Sequence, residues 1–70
     1  MNILIIVQKY QEQSAEGIAV FLLGKEYEYL RKICIHPDSD KFKTLPLEEQ
    51  KFSEDIHYFL IDLELRAENI

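Results

Sequence analysis

Ile18-Ala19-Val20-Phe21-Leu22-Leu23-Gly24-Lys25-Glu26-Tyr27-Glu28-Tyr29-Leu30-Arg31-Lys32-Ile33-Cys34-Ile35 is the stretch on which the fold turns, because an apolar half meets a mixed half at a Gly-Lys pair. A two-residue loop with glycine first suits a type II′ hairpin turn. Pairing across it sets Leu22 against Tyr27, Val20 against Tyr29 and Ile18 against Arg31, and Ile33 and Ile35 continue this apolar face. Aromatic–aliphatic pairs of this kind stabilise antiparallel sheets. On the other face Leu23 meets Glu26, Phe21 meets Glu28 and Ala19 meets Leu30, the mixture of a partly wet surface. A helical reading competes, since Val20, Leu23, Tyr27, Leu30 and Cys34 recur at spacings of three and four. It places Gly24 in a helix interior, at about 1 kcal/mol relative to Ala. Tyr27, Tyr29, Ile33 and Ile35 also favour extended backbone. The expectation is therefore two strands, over about 18–23 and 26–35.

Upstream, Ile3-Leu4-Ile5-Ile6-Val7 is apolar without alternation. Such a run reads as a strand buried on both faces, over about 2–10, with no helix start signal before it. Gln11 to Gly17 is polar and reads as a loop. Downstream, His36 to Thr44 reads as a connector: Pro37 pushes His36 toward extended geometry, and Asp38, Ser39 and Asp40 suit turns. Leu45-Pro46 then opens a helix over about 46–67, with Glu48 and Glu49 near its positive end and a break expected near Ser53. Phe52, Ile56, Phe59, Leu60, Leu63 and Ala67 share one face about 100° wide, enough to dock on a sheet. Leu47, Tyr58, Ile61 and Leu65 form a second stripe on nearly the opposite side. Residues 57–67 also alternate as a strand, but the Leu, Glu, Arg and Ala content favours helix. The expected fold class is α+β: one domain, residues 1–70, with a small three-stranded antiparallel sheet packed on one face by a C-terminal helix.

A chain of 70 residues buries only about 60% of its unfolded surface, so its stability alone is marginal. With Cys34 as the single cysteine, no internal disulfide can reinforce it. Association is the remaining device, and the two-sided strand and two-striped helix point the same way. The apolar runs are too short to span a membrane. The N-terminus lacks the basic region and small-residue cleavage site of a signal peptide. One free thiol and no targeting segment make the cytoplasm the expected location. The net charge of −5 lies wholly after residue 35, where four basic residues face nine acidic ones. Such a half repels phosphate backbones and attracts basic surfaces, which argues against direct nucleic-acid binding.

No motif carries recognisable chemistry. Cys34, His36 and His57 lack the paired spacing of a zinc site, and Asp38 and Asp40 lack the glycine and glutamate of a calcium loop. A Cys34–His36 nucleophile pair has no glycine-rich oxyanion loop, since Gly17 and Gly24 are both taken by turns. Arg31-Lys32 beside Tyr27 and Tyr29 is offset by Glu26 and Glu28, so it makes no basic patch. No cofactor, no metal and no enzyme activity are expected. The expected function is that of a small acidic protein-binding module, a homodimeric regulator or stoichiometric inhibitor of a basic partner protein. If that partner is a nucleic-acid enzyme, the acidic face mimics phosphate, as in small virus-encoded counter-defence proteins or antitoxins, an analogy of charge and size. A structural subunit of a larger assembly and a small metal-dependent enzyme using His36, Asp38, Asp40 or Cys34 are the alternatives. The expected protein interface comprises Phe21, Leu23, Leu30, Leu47, Tyr58, Ile61 and Leu65, and the partner-facing acids are Glu54, Glu64 and Glu68.

Overall fold

Asn2 starts the first element. Its side-chain Oδ1 accepts the N–H of Ile5, the capping contact that opens α1, Ile3–Gln11. The computed structural model describes residues 2–11 and 13–68, and 77% of them are helical. Glu12, assigned above to a loop, lies outside the described residues. Four further helices follow: α2, Ala15–Leu22; α3, Lys25–Ile33; a single turn, α4, Asp40–Lys43; and α5, Leu47–Ala67.

The expected α+β architecture is overturned, since none of the described residues is in a strand. The strands assigned to 2–10, 18–23 and 26–35 are α1, α2 and α3. Each has a local reason to be helical. In α1 the Asn2 cap and the spacing of Ile3, Ile6, Val7 and Tyr10 set an apolar face that outweighs the strand preference of its β-branched residues. Ser14 caps α2 by accepting the N–H of Gly17. In α3, Glu26 and Glu28 stand in the first turn and Arg31 and Lys32 in the last, the order that complements the helix dipole.

Gly24 is a hinge between two helices. A II′ turn needs a positive φ at its first central residue, whereas Gly24 has φ −97° and ψ 170° and serves as the N-cap of α3. The single helix through Gly24 does not form either. Resetting the helix at residue 24 changes its phase, so Ile18 and Phe21 face inward from α2 while Val20 and Leu23 face solvent.

The core comprises Ile6, Ile18, Phe21, Leu30, Ile56, Phe59, Leu60 and Leu63. Phe21 is its hub, with Tyr10, Tyr27 and Phe59 rings centred 4.0, 6.0 and 6.5 Å away. Helix α5 is the platform. It runs without a break through Ser53, whose buried hydroxyl accepts from Ile35 N at 2.8 Å and donates to Ile35 O at 2.9 Å. That pair of bonds pins the chain just after α3 onto α5. Glu64 of α5 accepts from the Tyr27 hydroxyl at 3.2 Å and lies 3.6 Å from the Arg31 guanidinium, which fixes α3 along one flank. Asp62, two residues earlier, points about 160° away and faces α1 on the other flank. Arg66 secures α1, donating to the carbonyls of Tyr10, Gln11 and Gln13.

Candidate functional site

The seven residues expected at a protein interface separate into two groups. Phe21 is 3% exposed and Leu30 is fully buried, so both belong to the core of the single chain. A strand would alternate them outward with Leu23, but the helical phase of α2 and α3 turns both onto α5. Leu23, 90% exposed at the α2–α3 junction, and Leu47, at the first turn of α5, are on the surface. Tyr58, Ile61 and Leu65 are also exposed, on the side of α5 opposite Ile56, Leu60 and Leu63.

Of the three acids expected to face a partner, Glu68 is exposed and Glu54 half-buried. Glu64 is engaged within the chain by Tyr27 and Arg31. Burial, with the Glu64 carboxylate second, raises the Tyr27 phenol above its ordinary value.

Reading the chain as strands hid a groove between α1 and α5, about 470 Å³ in volume. Ile3 and Val7 from α1 and Ile56 and Phe59 from α5 form its apolar lining. Leu4, Phe52 and Tyr58, all exposed, stand at its rim. Leu4 and Ile5, expected in a doubly buried strand, and Phe52, expected on the docking face of the helix, are exposed. Wheel position gave no signal for Phe52, which lies about 20° inside Phe59, a buried residue at the edge of the stripe. Among the described residues, the only charged side chains lining the groove are Asp55 and Asp62. They are seven residues apart, which sets them on the same side of α5 about 10 Å from each other along its axis. Among the described residues neither carboxylate forms an ion pair. Lys9, on α1, pairs with Glu26 at 3.9 Å instead, and Arg66 is occupied by backbone carbonyls.

The residues weighed for metal or nucleophilic chemistry are disposed as follows. His36 Nδ1 accepts the Asp38 N–H at 3.0 Å, and the His36 and His57 rings meet edge to face at 4.9 Å. Cys34 is half-buried and donates its thiol to Ser53 O at 3.8 Å. Burial raises its pKa, which keeps it protonated and weakens it as a nucleophile. Asp40 begins α4, behind the Ser39 cap. Among the described residues no three His, Cys, Asp or Glu side chains are grouped to hold a metal ion. No helix among them is long and apolar enough to cross a membrane.

Comparison of the chain with protein-family models, with curated proteins and with solved structures finds no match in any of the three. The site therefore has to be interpreted from its own chemistry.

Proposed function

We propose that this chain is an acidic protein-binding module that pairs with a second copy and acts in the cytoplasm as a regulator or stoichiometric inhibitor of a basic protein. The observation that carries the reading is that α5 is apolar on two opposite sides. Its inner side seats the core, while its outer side leaves Tyr58 62% exposed and Ile61 40% exposed. Covering a large apolar side chain is worth about 1.5–3 kcal/mol, and a two-fold pairing of the same face covers two copies at once. Charge supports the choice of partner. Helix α5 carries Glu48, Glu49, Glu54, Asp55, Asp62 and Glu64 against Lys51 and Arg66 only.

Sedimentation equilibrium over micromolar concentrations tests the pairing. The wild-type chain is expected to sediment as a dimer, and Ile61→Glu as a monomer with unchanged helical content. A wild-type chain that stays monomeric throughout, or an Ile61→Glu dimer of full strength, removes the reading.

A further inference from the structure

The geometry points to one occupant for the groove between α1 and α5: a cationic amphipathic helix of a partner protein, with apolar side chains in the groove and two basic residues, seven apart, on Asp55 and Asp62. This deepens the protein-binding reading and rests on it; the groove adjoins the proposed dimer face and shares Tyr58 with it at the rim.

Three features select that chemistry. The lining from Ile3, Val7, Ile56 and Phe59 is apolar, and the exposed rim of Leu4 and Phe52 extends it outward. It therefore takes aliphatic or aromatic side chains. The charge on its wall is of one sign, and no cation among the described residues neutralises it. Lys51 and Arg66 stand one turn from Asp55 and Asp62, yet neither is paired with them. A partner that left these carboxylates against an apolar surface would desolvate them without return, so selection favours one that brings Lys or Arg. Both walls are helices, with their backbone groups bonded internally. An extended peptide finds no strand edge to join there, whereas a helix lying along α5 repeats with the same period as Asp55 and Asp62.

A second copy of this chain is the poorer fit. Its α3 does carry Lys25 and Lys32 seven residues apart, but between them it offers Glu28 and a half-buried Tyr29. Helix α3 also lies on the flank of α5 opposite the groove, so inserting it into another copy builds an open head-to-tail chain and not a closed pair.

The test uses the full chain and a synthetic fluorescent helix of about 18 residues, roughly 27 Å long. The peptide is built from Leu, Ala and Lys, with Leu on one face and two Lys seven apart beside it. A control peptide replaces those two Lys by Glu. Anisotropy titration is expected to show binding of the Lys peptide that weakens with salt, and no binding of the Glu peptide. Asp55→Asn combined with Asp62→Asn should weaken binding about threefold to tenfold, the worth of two exposed ion pairs. Glu54→Gln with Glu68→Gln changes net charge equally and should leave affinity unaltered. Leu4→Gln, at an exposed rim position that folding does not need, should also weaken binding.

Equal loss in the two acid double variants overturns the groove while leaving a basic partner in place. Equal affinity for both peptides, or no affinity for either, overturns it outright. Salt-sensitive polymers abolished by Lys25→Glu would assign the groove to the chain itself and sink the proposal. The dimer reading is judged separately, by mass and by Ile61→Glu, which lies outside the groove lining and should bind the Lys peptide no more weakly than wild type does.

Discussion

Ser53 sits in the middle of α5, yet its hydroxyl serves another segment by satisfying both the N–H and the C=O of Ile35. Ser53→Ala removes both partners at once and leaves two polar backbone groups half-buried. The expected loss is about 1–3 kcal/mol in urea unfolding, and a change under ~0.5 kcal/mol would show that water replaces the hydroxyl without penalty. Cys34 beside it gives a pH prediction. Burial is the main cause of its raised pKa. The folded chain therefore keeps the thiol proton at a pH where the unfolded chain, near the ordinary value of 9.0, has begun to release it. The contribution to stability is full below that pH and is lost as pH rises through the folded pKa. Iodoacetamide should accordingly modify the folded protein more slowly than the urea-unfolded one at pH 8, with the midpoint of the folded rate profile at higher pH. Identical profiles would contradict the burial.

Among the helices, α1 depends most on a distant residue. Arg66 holds its C-terminal carbonyls, and the hydroxyl of Tyr10 donates to Glu26 at 3.2 Å. Arg66→Gln is expected to speed amide exchange in α1 at least tenfold while sparing α3, read by mass spectrometry. Uniform change along the chain would mean that Arg66 supports the whole fold instead. The helices also differ in how openly their residues declare them. Helix α5 is legible from Ile56, Phe59, Leu60 and Leu63 because one period persists over 21 residues. Helices α1 to α3 are eight or nine residues each, too short for a period to dominate strand-forming Ile, Val and Tyr. Their signatures are local: Asn2 and Ser14 as caps, and the acid-to-base order from Glu26 to Lys32. Gly24 misleads because glycine before a charged residue fits a hairpin turn and a helix boundary alike.

For the molecule as a whole, stability is concentrated in one aromatic cluster. Phe21→Ala is expected to remove about 3–5 kcal/mol, a large share of the 5–15 kcal/mol typical of a folded domain. A broadened thermal transition with much reduced helicity should follow, and an unaltered midpoint would show that Tyr10, Tyr27 and Phe59 close the gap. Of the candidate surface, the outer stripe of Tyr58, Ile61 and Leu65 was readable from α5 alone. The groove was not, since it needs α1 as its second wall and α1 was read as a strand. The platform role of α5 also has a consequence for biosynthesis. Helices α1, α2 and α3 leave the ribosome before the surface that seats them exists. The nascent polypeptide thus carries Ile6, Ile18 and Phe21 unsheltered until translation has passed Leu63, an interval in which a holding chaperone has its best opportunity to engage.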